Sequence, residues 1–187
     1  MKKRVSMNLV HLGLPDSGER ADTPETLTGL LLACHTRIRR FARLALTLGA
    51  RPELPAAEVK DAAAQCLRYF TEALPLHVRD EEDSLWPRLA GYSPALDATM
   101  AQMRAQHFAH QVRLDALTSA LEAVRQRPNE PVLHRELAAA ASTLETDFED
   151  HLGLEEAELF PFLEEALGPE AHEAVIREIR ARRSPPS

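Results

Sequence analysis

An eleven-residue segment of this chain occurs twice. His77-Val78-Arg79-Asp80-Glu81-Glu82-Asp83-Ser84-Leu85-Trp86-Pro87 is matched 74 positions later by His151-Leu152-Gly153-Leu154-Glu155-Glu156-Ala157-Glu158-Leu159-Phe160-Pro161. Both copies read His-x-x-x-Glu-Glu-x-x-Leu-aromatic-Pro. The register also holds upstream, where Phe70 aligns with Leu144 and Leu74 with Phe148. An imidazole and a carboxylate four residues apart stand one above the other on one helical face. Nitrogen and oxygen donors fixed in that way can hold a metal ion. Two such faces turned toward each other supply half of a dinuclear site.

Positioning these groups takes long helices, and the apolar spacing provides them. Residues 1–22 show no sustained helical period and read as an N-terminal tail, with His11 solvated. Thr23-Pro24 is a capping residue followed by a proline at the first helical position. Leu27, Leu31, His35, Ile38 and Ala42 then mark one face of a first helix that ends near Gly49. A second helix from about Ala56 carries Val59, Ala63, Cys66, Phe70, Leu74, His77, Glu81 and Leu85, with a kink expected at Pro75. After a turn at Gly91-Tyr92, Ser93-Pro94 starts a third helix with Met100, Met103, His107, His110, Leu114, Leu117 and Leu121 facing inward. A fourth, after the Pro128–Pro131 turn, carries Leu133, Leu137, Ala140, Leu144, Phe148, His151, Glu155, Leu159 and Phe162, and Gly168-Pro169 stops it. The expected fold is all-α: an antiparallel up-down-up-down four-helix bundle of two hairpins over residues 23–167. Residues 168–187 add a short C-terminal helix and tail.

Spacing tests whether the histidines can meet. In an antiparallel hairpin, residues equally far from the turn share a level. The midpoint of His77 and His107 is Tyr92, and that of His107 and His151 is Asn129; both fall in turns. His35 and His77 centre on Ala56, a looser fit. Glu81 and Glu155 are displaced from the histidine level in one direction by about 6 Å, four residues at about 1.5 Å each. Two carboxylates on one level, flanked by imidazoles, can bridge two metals. The mixed nitrogen and oxygen donor set, with no thiolate, suits iron, manganese or zinc.

The bulk of the sequence agrees. A formal charge of −7 argues against nucleic-acid binding. Two cysteines, Cys34 and Cys66, cannot build a disulfide framework. No apolar run reaches the length of a membrane span, and no signal-peptide run follows Met1-Lys2-Lys3-Arg4, so a cytoplasmic protein is expected.

These residues resemble the hemerythrin-like (HHE) family of di-iron four-helix bundles over about residues 23–166. The resemblance implies a non-heme di-iron cofactor held by His35, by His77 with Glu81, by His107, and by His151 with Glu155, each glutamate bridging. The chain departs from the animal oxygen carriers on helix three. They place a second histidine four residues after the first, whereas His110 follows His107 by three. His110 is therefore either a seventh ligand or a core or outer-sphere histidine. The implied function is binding or sensing of dioxygen or nitric oxide, or reporting iron or redox state. The alternatives are a di-iron peroxidase, oxidase or nitrosative-repair enzyme, and a metal-free interaction bundle. Glu82 and Glu156 are expected to be solvated or to hold a histidine N–H. Trp86 and Phe160 are expected to cap the core, Cys66 to be inert packing, and His134 and His172 to lie on the surface.

Overall fold

The computed structural model describes residues 26–184. The expected tail, with His11 and the Thr23-Pro24 helix start, lies outside them. Among the described residues there are five principal helices and no strand. They are α1 (Leu27–Ala50), α2 (56–89), α3 (Pro94–Gln126), α4 (Pro131–Glu158) and α5 (Pro169–Arg183). Thr26 caps α1, its hydroxyl accepting the Gly29 N–H at 3.1 Å. Ser93 caps α3 as its sequence predicts, accepting the Leu96 N–H at 3.2 Å with Pro94 at the first position. Gly91, at φ +81°, makes the preceding turn in the left-handed region that favours glycine.

The kink expected in α2 takes the form of two widened turns. Residues Tyr69–Ala73 and Asp80–Leu85 are π-helical, with the Leu74 N–H bonded to Tyr69 and the Trp86 N–H to Glu81, each five residues back. Each widened turn is followed within two residues by a proline, Pro75 or Pro87. A proline ring clashes with the carbonyl four residues earlier and offers no N–H to it; an extra residue in the turn relieves the clash, while the missing donor is not replaced. The second copy resolves the same conflict differently. Before Pro161, α4 stops at Glu158 and passes into a 3-10 turn at Phe160–Phe162 and a single turn at Leu163–Ala166. Helix four is thus shorter than its apolar period suggested.

In the packed structure α1 lies beside α2 and α4, and α3 beside α2 and α4. The interior has two apolar clusters. One is built on Ile38, Leu48, Phe70, Leu121, Leu144 and Phe148. The other is built on Leu27, Leu31, Leu85, Trp86, Met103 and Leu163. Along α1 the chain passes from the second cluster to the first, along α2 back again, and so on through α3 and α4. That alternation is consistent with the expected antiparallel arrangement. Between the clusters, every long helix contributes buried polar side chains: His35, His77 with Glu81, His110, and His151 with Glu155. The close approach of α1 and α4 depends on Gly49, where a Cβ would lie 2.4 Å from the Ala138 backbone nitrogen.

One expectation is corrected here. His134 is fully buried, its Nδ1 2.7 Å from the Leu48 carbonyl and its Nε2 2.8 Å from the Pro128 carbonyl. It ties the end of α1 to the α3–α4 turn, a role set by chain ends meeting in space rather than by helical period. His172 is half-buried.

Candidate metal centre

His35, His77, Glu81, His151 and Glu155 are buried, and the side chain of His107 is 9% exposed. The six fall into two overlapping groups, within each of which potential ligand atoms lie within 4.8 Å of one another. One group is His35, His77, Glu81 and Glu155; the other is Glu81, His107 and His151. Glu81 belongs to both. Its Oε1 is 2.7 Å from His77 Nε2, and its Oε2 is 3.2 Å from His107 Nε2 and 4.0 Å from His151 Nε2. Glu155 sits in the first group only, with Oε2 3.0 Å from His35 Nε2. His110 joins neither group. Its ring stands edge-on to His151 and to Phe148, both at 5.4 Å between centroids.

Around these groups is a set of partners that fixes how the rings are turned. His35 Nδ1 donates to Glu156 at 2.7 Å, and Arg39 in turn donates to Glu156 at 2.8 Å. His107 Nδ1 donates to Glu82 at 2.8 Å, and His151 Nδ1 to the Gln106 side-chain oxygen Oε1 at 2.9 Å. In each motif, then, the first glutamate faces inward. The second crosses to hold the N–H of a histidine of the other hairpin, where the sequence left it either solvated or holding a histidine N–H. The motif aromatics follow the same crossing. Trp86 stacks on His107 with ring centroids 5.3 Å apart, and Phe160 stacks on His35 at 5.2 Å.

Three features were not read from the sequence. Gln106 is an uncharged residue beside a histidine, with no pattern to single it out. Asp80 is fully buried and accepts from Arg182 at 2.8 Å and Arg183 at 2.5 Å, both on α5. Cys34 lies under this clamp, with Arg37 Nη2 3.2 Å and Arg183 Nη2 3.7 Å from its sulfur. Burial pushes the Cys34 thiol up, but hydrogen bonding and charge from His77, with help from Arg37, outweigh it and bring it to about 7. Cys66 has no such neighbours, and burial alone pushes it up to about 12, in keeping with inert packing.

Two tests ask whether the donors fit a metal. First, the Nδ1 atoms of His107 and His151 are engaged by Glu82 and Gln106, and their Nε2 atoms face each other at 3.1 Å. Two ring nitrogens so placed need a proton or a metal cation between or against them. Second, neither Glu81 oxygen, nor Glu155 Oε1, nor His77 Nε2 makes a hydrogen bond of good geometry, although all are buried. Such atoms are costly in an apolar interior, and metal coordination would satisfy them. Protonation is distributed unevenly over the same groups. Burial raises Glu155, reinforced by the Glu81 charge. Burial would lower His77 and His107, but Glu81 overrides it and raises both. Burial lowers His151 to about 3, opposed by Glu81 and aided by the neighbouring histidines. The donor set fits a divalent cation pair.

Comparison with known proteins agrees with this geometry. The family model described as the hemerythrin HHE cation-binding domain matches residues 26–163. The chain belongs to that family. A Haemophilus influenzae protein, itself uncharacterised, is 28% identical over 160 residues, 82% of this chain and 88% of the relative. No solved structure matches. HHE domains are cation-binding by description, and the His and Glu groups are where this chain could bind one.

Beside the HHE centre, on the face away from the two glutamates, lies a cavity of about 80 Å³. His77, His107, His110 and His151 form one wall, and Ile38 and Phe148 are among the apolar residues of the other.

Proposed function

We propose that this chain is a non-heme di-iron protein, an antiparallel four-helix bundle that binds or senses dioxygen or nitric oxide. The observation that carries the reading is the pair of ligand groups joined through Glu81, with a small cavity alongside. His35, His77, Glu81 and Glu155 would hold one ion. His107 and His151, with the other Glu81 oxygen, would hold the second. Glu155 Oε1, which makes no hydrogen bond, would be a further oxygen donor to a metal at the first group. Iron, when bound, supplies one-electron chemistry and a position open to a small ligand.

The chain's own residues set the terms. Glu82, Gln106 and Glu156 hold the Nδ1 protons and so keep the Nε2 atoms available to a metal. The apolar clusters above and below exclude water from the polar layer. The cavity admits a molecule of a few heavy atoms, since one water in the liquid occupies about 30 Å³. His110 faces that cavity as a neutral imidazole, burial lowering its pKa against the opposing charge of Asp147. The net charge of −7 supports a protein that uses neither nucleic acid nor a membrane surface as partner. No described helix is long and apolar enough to cross a membrane. A metal-free interaction bundle is disfavoured because it would leave both Glu81 oxygens and Glu155 Oε1 buried without a hydrogen bond of good geometry.

The test is spectroscopic. Protein loaded anaerobically with iron(II) is expected to change its absorption on exposure to nitric oxide, and to recover when the gas is removed. Iron-loaded protein that responds to neither nitric oxide nor dioxygen would overturn the reading.

A further inference from the structure

A second, larger void lies outside the cavity just described. It is a cleft of about 460 Å³ between α2 and α3. The cleft and the inner cavity share four lining residues: Leu74 and Val78 from α2, and Gln111 and Leu114 from α3. Two voids lined by the same four side chains adjoin there, with those side chains as the layer at the junction. The geometry points to this layer as the gate, and to the cleft as the vestibule, through which a small uncharged molecule reaches the histidine-lined cavity. The inference rests on the proposed ligand-binding function and names the route that the ligand takes.

Three observations carry it. The other walls of the cavity are closed: Ile38 is 1% exposed, Leu152 1% and Phe148 4%. Val78 and Leu114, by contrast, are only half-buried, and Gln111 is exposed. Moreover, the α2 side of the cleft is the stretch where helical hydrogen bonding is interrupted. Pro75 lines it and can offer no N–H to the Thr71 carbonyl, and the π turn Tyr69–Ala73 runs into it. A wall short of backbone bonds opens locally at lower cost than the rest of the helix.

The rim indicates the class of molecule. Arg79 is held by Asp83 at 3.0 Å, and Asp115 accepts from the Gln111 amide at 3.1 Å. Arg79 is neutralised by Asp83 while Asp115 keeps its charge, so the mouth turns away anions, and the apolar layer of Leu74, Val78 and Leu114 beneath it suits an uncharged molecule. The Gln111–Asp115 contact also holds one gate side chain against α3, so its rotation widens the passage without moving the backbone.

Leu114→Trp and Leu114→Ala test the route, because position 114 lies in neither ligand group. Nitric oxide association with iron(II)-loaded protein is followed by stopped flow, together with iron content and the end-point spectrum. Leu114→Trp is expected to slow association about tenfold or more, and Leu114→Ala to speed it, at unchanged iron content and end point. Association of Leu114→Trp at the wild-type rate would overturn the route. Should Leu114→Trp fail to fold, an unchanged rate in Leu114→Ala overturns it equally. Xenon exchange in the metal-free protein, read by xenon NMR, separates this from the proposed function. Exchange slowed by Leu114→Trp supports the gate even if wild-type protein takes up no iron, and exchange equal in both proteins overturns it.

Discussion

Glu81 sends one oxygen to each ligand group, so a single substitution there reaches both. Glu81→Gln is expected to lower bound iron from two per chain to one or none, whereas His35→Ala, in the first group alone, should leave the second ion in place. Metal analysis of the two variants at equal protein concentration checks this, and full occupancy in Glu81→Gln would contradict it. Proton linkage belongs at the same scale. His77 and His107 are raised above the ordinary histidine value by Glu81, and Glu155 is raised by burial and by Glu81. Groups raised in this way keep their protons as pH rises, and a metal must displace them. The apparent affinity for iron(II) or zinc is therefore expected to increase with pH from the ordinary histidine range upward, with net proton release. His151, already lowered to about 3, contributes none of it. In the metal-free fold the sign for His77 is the reverse. Its raised pKa adds stability that is fully present below the unfolded histidine value and is lost as pH rises through the folded one. Competition titrations at pH 6.5 and 8 decide the affinity claim, and equal affinities would defeat it. Four of the six ligand candidates were legible in the sequence because His-x-x-x-Glu is a spacing with a geometric meaning, and His35 and His107 because they share a level with those histidines and match the family's single-histidine positions. Gln106 and His134 were not. A lone glutamine has no periodic signature, and the place of His134 depends on where a distant carbonyl ends up.

At the scale of elements, the two motif copies differ where α5 covers one of them. Asp80 and Ser84 in the first copy correspond to Leu154 and Glu158 in the second. Asp80 and Ser84 are fully buried beneath Arg182 and Arg183, with Arg182 Nη2 2.5 Å from the Ser84 hydroxyl. The C-terminal helix thereby pins the π turn that carries Glu81 as its second residue. Replacing both arginines by glutamine leaves a buried carboxylate without its cation, which costs about 3–5 kcal/mol in comparable buried pairs. Denaturant unfolding of the metal-free Arg182→Gln/Arg183→Gln protein is expected to show a loss of that order. Adding Asp80→Leu, the residue of the second copy, should restore much of it. A double-arginine variant as stable as wild type would contradict the clamp. The sequence announced α5 through its helix signals but not its target, since Asp80 and Arg182 are brought together only by the fold. The π turns were half legible: Pro75 and Pro87 mark the conflict, but whether a helix widens or breaks there is decided by what packs around it. In α4 the same conflict at Pro161 breaks the helix.

On the scale of the whole molecule, an ionisable layer divides the interior into two apolar clusters, and each long helix crosses it once. The sequence disclosed that layer because two of the three midpoints between histidines fall in turns, and the third, Ala56, is the first residue of α2. The same layer is a weak point without metal, since both Glu81 oxygens, Glu155 Oε1 and the His77 ring nitrogens are buried with no hydrogen bond of good geometry. Binding to the folded state alone stabilises it by mass action, about 2.7 kcal/mol per site at a hundred times the dissociation constant. In a chain of this size that raises the unfolding temperature by roughly 5–10 °C. Scanning calorimetry with and without added iron(II) should record the rise, and an unchanged transition would count against a site in this layer. The most direct measurement is the metal content of protein purified without chelator or reloaded anaerobically with iron(II), followed by its absorption spectrum before and after air. Two irons per chain, with a new near-ultraviolet oxo-bridge-type band after oxidation, are expected. Protein that carries no metal and takes up no iron would contradict the di-iron centre and leave a helical domain whose buried glutamates serve some other end.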